Sequence, residues 1–300
     1  MSLRSPTRYR TDIPTARRRL TALAPATIDT PPGRISYVDQ GVGFPLLLVH
    51  GVFGGYDAGL RLIDPEVRAG YRCISPSRFG YPGTPMPPNP TVQLQADAHA
   101  ALLDALGIDQ VAVAAGSAGV TSALQMAIRH PSRVAALVLV SSNVPGPHHR
   151  RGPFPRSLAQ RLWGSNLLMW LIRTYLSTVI VNNMMGIPKD LPLTEADRAR
   201  LDEELDAIFP VFERVQGAVF DGFTGNADIN TGYPLHTIGA PTLLVHYKDD
   251  AGPPYAGAVA LADAIPGARL LGIDHGGHLG LGNHREVPSE IAAFLRETVE

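Results

Sequence analysis

The chain has one cysteine, Cys73, among its 300 residues. That excludes an internal disulfide framework and points to a reducing, cytoplasmic setting. Cys73 lies within the apolar pattern Tyr71-Arg72-Cys73-Ile74-Ser75, so a buried structural thiol is expected. Net charge is scarce too. Twenty-six Lys and Arg against 27 Asp and Glu leave −1, so neither nucleic acid nor an anionic membrane meets a general electrostatic attraction. A membrane span needs ~20 apolar residues. The strongest candidates, Leu167–Ile172 and Val179–Val181, are interrupted by Arg173 and then Asn182 and Asn183, so no span is expected. Leu20-Thr21-Ala22-Leu23-Ala24, after an arginine-rich start, is too short for the apolar part of a secretory leader. No internal repeat or low-complexity segment is visible.

Ligand signatures are missing as well. His275, His278 and His284 do not have H-E-x-x-H spacing, and no acidic cluster accompanies them, so no metal is expected. Asp221-Gly222-Phe223-Thr224-Gly225-Asn226 lacks the alternating ligands of a calcium loop and reads as a turn. The glycine-rich stretch His50-Gly51-Val52-Phe53-Gly54-Gly55 is not followed by Gly-Lys-Ser/Thr, which argues against a phosphate loop. No cofactor is called for. The expected partner is a small-molecule substrate, and the sequence leaves the oligomeric state open.

What is present is a globular composition, 45% hydrophobic and 18% charged, long enough for one large or two small domains. Gly33–Asp39 alternates like a half-exposed strand, and Pro45–Val49 is a continuous apolar run, as in a central parallel strand. Further strands are predicted at 71–75, 111–116, 134–140, 241–247 and 268–274, with helices over 91–106, 118–129, 255–264 and 286–299. Strands alternating with helices imply an α/β fold with a doubly wound, mostly parallel sheet. The rhythm breaks after Asn143. Pro145, Pro147, Pro153 and Pro155 open a segment with helical patterns and no clear strand, including His148-His149-Arg150-Arg151, read as a solvated hinge, and a charged, more exposed helix over 197–209.

Val111-Ala112-Val113-Ala114-Ala115-Gly116-Ser117-Ala118-Gly119 is an apolar strand ending in a serine between small residues, with a helix pattern directly after it. A nucleophile that must stand clear of a sheet edge needs such a sharp strand-to-helix turn. A plain serine N-cap would give the same local pattern. Two further groups are predicted at C-terminal strand ends, where open α/β sheets bind ligands: the Asp249/Asp250 pair and His278. A serine hydroxyl becomes a useful nucleophile when an imidazole takes its proton and a carboxylate orients that imidazole. The glycines after His50 let backbone N–H groups face a developing negative charge.

The order Ser…Asp…His, the His50-Gly51 loop, Ser77-Arg78-Phe79-Gly80-Tyr81, the serine turn, Asp250 with Pro254, and Gly277-His278 together resemble the α/β-hydrolase fold superfamily, in its capped serine-hydrolase branch. The usual G-x-S-x-G carries Ala115 at its first small position. The resemblance implies Ser117 as nucleophile, His278 as general base, and an oxyanion hole from the N–H of Ala118 with that of Val52 or Phe53. It implies Asp250 as the acid; Tyr247 replaces the glycine usual before it, so Asp249 stays open. His50 is expected to support the oxyanion loop by hydrogen bonding. The broken rhythm and the resemblance together give a core of 26–143 and 236–300 and a helical cap over 144–235; the arginine-rich stretch over 1–25, outside the resemblance, reads as an N-terminal arm or amphipathic helix. Trp163, Met169, Trp170 and Met184 are candidate pocket residues, with packing of the cap as the alternative. The expected activity is cleavage of a carboxylic ester of a small, fairly hydrophobic substrate. Carbon–carbon hydrolysis, acyl transfer, peracid formation and non-catalytic ligand binding are the alternatives.

Overall fold

A computed structural model describes residues 8–147, 155–183, 186–283 and 285–299. Met184, His284 and the His148–Arg151 run lie outside the described residues. In chain order the elements are α1 (Tyr9–Ala22), β1 (Ala26–Thr30), β2 (Gly33–Gln40), β3 (Phe44–Val49), the short turns α2 (Tyr56–Gly59) and α3 (Pro65–Arg68), β4 (Tyr71–Pro76), α4 (Val92–Ala105), β5 (Val111–Gly116), α5 (Gly119–Arg129) and β6 (Val134–Val140). Then follow α6 (Arg156–Trp163), α7 (Asn166–Tyr175), α8 (Ser177–Asn183), α9 (Glu195–Ala207), α10 (Val215–Phe220), β7 (Thr242–Tyr247), α11 (Tyr255–Ala264), β8 (Arg269–Ile273) and α12 (Glu286–Val299).

The eight strands form one sheet in the order β1-β2-β4-β3-β5-β6-β7-β8. β2 pairs antiparallel with β1 and β4, and every other pairing is parallel. The central strands are apolar on both faces because each face is covered. Leu47, Val49, Val113, Ala115, Leu137 and Leu139 join a core shared with α4, α5 and α11. Leu46, Leu48, Ala112, Ala114, Ala136 and Val138 point the other way, into a core closed by α12 and by Leu20 of α1. Side chains of a strand alternate between faces, so the same runs feed both layers.

Between β6 and β7 the described residues hold only helices and turns. This insert has its own apolar core, with Met169, Trp170, Leu201, Leu205, Ile208 and Phe209. α9 starts two residues earlier than the sequence suggested, because Thr194 and Asp197 form a reciprocal capping box. It buries Leu201 and Leu205, so it is less exposed than its charge implied. α7 was expected to be buried against the body. It buries Met169, Trp170 and Arg173, yet leaves Leu167 and Leu171 exposed.

Of the two forms expected near the N-terminus, arm or amphipathic helix, residues Tyr9–Ala22 take the helix, and it is packed. Ile13 and Ala16 of α1 join the core of the insert, while Leu20 joins the sheet core, so α1 spans both. Arg17 pairs with Glu213 at 2.9 Å, and Arg19 donates to the carbonyls of Asp206 and Phe209. Among the described residues, no helix is long and apolar enough to cross a membrane.

Candidate active site

Ser117 stands between β5 and α5 with φ +50°. For a residue with a Cβ this left-handed conformation costs about 1–2 kcal/mol, and the surrounding contacts hold it there. Its N–H donates to Val140 O at 3.0 Å, and its carbonyl accepts from Val120 at 3.1 Å and Asn143 at 3.3 Å. The turn is crowded: a Cβ on Gly119 would lie 2.5 Å from His50 O and 2.6 Å from Val49 O. Glycine at 119 is therefore a steric requirement. Ala115 fits, fully buried in the sheet core.

His278 follows β8 and reaches both partners. Its Nε2 lies 2.9 Å from Ser117 Oγ and its Nδ1 lies 2.7 Å from Asp250 Oδ2. The other Asp250 oxygen accepts from the Gly252 N–H at 2.7 Å, and the Asp250 side chain has no solvent exposure. Ser141 Oγ donates to His278 O at 2.8 Å, fixing the loop from the end of β6. Geometry also separates the two aspartates. Asp249 accepts from the Gly277 N–H at 2.9 Å and the Gly276 N–H at 3.2 Å, so it shapes the histidine loop, while Asp250 meets the imidazole. Behind Asp250 lies His246, buried, with Nε2 donating to Pro253 O at 2.9 Å; burial lowers its pKa.

The His50 loop lies against the serine: a Cβ on Gly51 would be 3.1 Å from Ser117 Cβ. His50 Nε2 accepts from the Arg78 backbone N–H at 3.0 Å, which leaves the proton on Nδ1, 2.7 Å from Gly51 O. Burial first, then the charge of Arg78, holds the His50 pKa well below the usual histidine range, so the ring stays neutral. His50 thus supports the loop by hydrogen bonds, as the sequence suggested. Of the oxyanion-loop candidates, Val52 is exposed and Phe53 is buried with φ +55°. The third candidate, Ala118, heads α5, where the first amides have no intrahelical acceptor.

Two buried ion pairs were not found by sequence reasoning. Arg78 makes a two-pronged contact with Asp221, at 2.8 and 2.6 Å, and Tyr81 donates to the same carboxylate at 2.5 Å. Arg214 pairs with Asp57 at 3.0 and 2.9 Å and also donates to Gly54 O. Burial disfavours charge at Arg78 and Asp57. The facing charges outweigh it, so the Arg78 pKa is raised and the Asp57 pKa lowered. Removing one partner from such a pair costs about 3–5 kcal/mol, because a buried charge is left alone. A charged residue inside the Ser77–Tyr81 turn motif, and a carboxylate directly after the apolar Ala218-Val219-Phe220, were the available signals.

The candidate pocket residues divide. Trp163 lies edge-on to Phe53 at 6.3 Å between ring centroids and 6.1 Å from Phe223, so it borders the His50 loop. Trp170 takes part in packing, the alternative expected for it. Its indole N–H donates to Asp12 at 2.9 Å and its ring meets Tyr9, so it joins α7 to α1. Met169 is buried in the core of the insert.

The eight-stranded, mostly parallel sheet agrees with the family description that the sequence matches over residues 45–284, the alpha/beta hydrolase fold. The chain belongs to the α/β-hydrolase fold family. A 2-hydroxymuconate semialdehyde hydrolase of Pseudomonas sp. strain CF600 is 30% identical over 254 residues, 82% of this α/β-hydrolase and 84% of the relative. A pimeloyl-[acyl-carrier protein] methyl ester esterase of Aromatoleum aromaticum is also 30% identical, over 85% of this chain and 97% of its own. Among solved structures, an alpha/beta hydrolase fold protein from Nakamurella multipartita superposes with a TM-score of 0.70 at 29% identity, covering 91% of this chain and 99% of that one.

Proposed function

We propose that this α/β-hydrolase is a serine hydrolase that cleaves a carboxylic ester of a small, fairly hydrophobic substrate, with the helical insert as a cap over a core in a cytoplasmic enzyme. The observation that carries the reading is the unbroken hydrogen-bonded line from Ser117 through His278 to the buried Asp250. Ser117 Oγ attacks the carbonyl carbon while its proton passes to His278 Nε2, and Asp250 stabilises the imidazolium. The oxyanion is held by the Ala118 N–H and an amide of the His50 loop. Collapse releases the alcohol with the proton from His278. Water, activated by the same imidazole, then cleaves the acyl-enzyme and restores the serine.

A second reading is hydrolysis of a carbon–carbon bond next to a carbonyl. It is favoured by the 30% identity to the semialdehyde hydrolase, and it uses the same nucleophile line with a carbanion as leaving group. The test is intact mass after incubation with a fluorophosphonate. One adduct is expected on wild type, none on Ser117→Ala, and a strongly slowed one on His278→Ala. Failure of folded wild type to label rejects the serine-hydrolase reading. Short-chain esters and 2-hydroxymuconate semialdehyde, assayed in parallel, separate the two chemistries.

A further inference from the structure

The peptide between Gly51 and Val52 is held from its carbonyl side. Gly51 O accepts from His50 Nδ1 at 2.7 Å, from Arg78 Nη2 at 3.1 Å, and from the Gly54 N–H at 3.3 Å as a turn closes. The preceding carbonyl, His50 O, accepts from Arg78 Nε at 2.9 Å. A trans peptide is planar and its N–H points opposite to its C=O. Fixing Gly51 O therefore aims the Val52 N–H away from Arg78, in a loop whose Gly51 touches the serine. The neighbouring Phe53 is buried at φ +55°, and the Tyr81 phenol donates to Asp221.

Arg78 is itself held from the insert. Its guanidinium is gripped by Asp221, 143 positions further along the chain, and Arg78, Tyr81 and Asp221 are all buried. Arg214 of the insert makes the reverse contact, donating to Gly54 O and pairing with Asp57 of the core. Three successive anchor points of one loop, the carbonyls of residues 50, 51 and 54, are thus taken by two arginines, each neutralised across the boundary between core and insert.

We infer that Arg78, oriented by Asp221 of the insert, is a positioning residue that aims the Val52 N–H into the oxyanion hole, so that Val52 and Ala118 are the two donors. This rests on the serine-hydrolase reading above. The insert then does more than cover the site. Through Asp221 it sets the geometry of the group that stabilises the transition state, and a shift of the α10 region would misdirect the Val52 amide without touching Ser117 or His278.

Arg78→Lys keeps a charge opposite Asp221 but removes the fork that reaches the two carbonyls. Losing one oxyanion donor costs ~10²–10³-fold in rate. We expect Arg78→Lys to lower both the rate constant of fluorophosphonate labelling and kcat on a p-nitrophenyl ester by about 10²-fold, with KM changed less than about threefold. A trifluoromethyl ketone, which forms the tetrahedral adduct, should bind more weakly in proportion to the loss of kcat. Should Arg78→Lys not fold, Tyr81→Phe gives the second reading. It loosens Asp221 by removing the phenol that donates to it, so kcat is expected to fall by a smaller factor with KM unchanged. A folded Arg78→Lys that labels as fast as wild type, or that loses only KM, overturns the inference while the serine-hydrolase reading stands. A rise in kcat for Tyr81→Phe also overturns it, because loosening Asp221 would then improve the site. Wild type that takes no adduct overturns both.

Discussion

His99 lies on α4 with no solvent exposure, and neither ring nitrogen has a hydrogen-bond partner. Burial, with a further push from the charge of Arg78, holds its pKa down at about 3. The sign follows from the unfolded chain, whose histidine takes a proton near pH 6.5 while the folded one does not. His99 therefore contributes stability that is complete above about pH 6.5 and is lost as pH falls toward 3. Each pH unit in that window costs about 1 kcal/mol. Urea unfolding at pH 7.5 and 5.5 should show wild type losing about 1 kcal/mol more than His99→Leu between the two conditions. Equal losses would exclude His99 as the titrating group. Single residues differ in how much of their role the sequence discloses. The approach of His278 to Ser117 was legible because the steric needs of the turn and the chain order constrain it. Asp250 was favoured by its place before Pro254 but Asp249 stayed open, since both follow one strand and only their partners, an imidazole against two loop amides, distinguish them. The Arg78–Asp221 pair joins residues too far apart in the chain for any spacing to betray it.

At the scale of elements, the parallel strands and the helices after them were plain from apolar runs and periodicity. β1 was missed: it is an edge strand whose Ile28 alone packs on the core, so its alternation is faint. α1 shows a different masking. Ile13, Ala16 and Leu20 follow helical spacing, yet arginines on the outer face dominate the local composition. Emptying a core side chain of this size costs about 2–4 kcal/mol, whereas the same change in an exposed arm costs almost nothing. Leu20→Ala and Ile13→Ala should each lower the urea midpoint accordingly. Midpoints equal to wild type would return α1 to the status of an arm.

For the whole molecule, the sheet order and the reciprocal arginine–aspartate pairs make core and insert mechanically dependent on each other. Neither was readable in advance, because strand order depends on crossovers and the pairs on tertiary approach. α1 adds a third tie, through Asp12 to Trp170 and Arg17 to Glu213. A consequence lies in where the chain keeps its indoles. Its only two tryptophans, Trp163 and Trp170, both belong to the insert. Intrinsic emission excited at the red edge therefore reports on the insert alone, while far-ultraviolet circular dichroism is dominated by the larger sheet-and-helix body. If the ties hold, the two signals should follow one denaturation curve with the same midpoint. An emission change that precedes the loss of ellipticity would instead reveal an insert that melts by itself, with a fluorescent reporter of that event already built into the natural sequence.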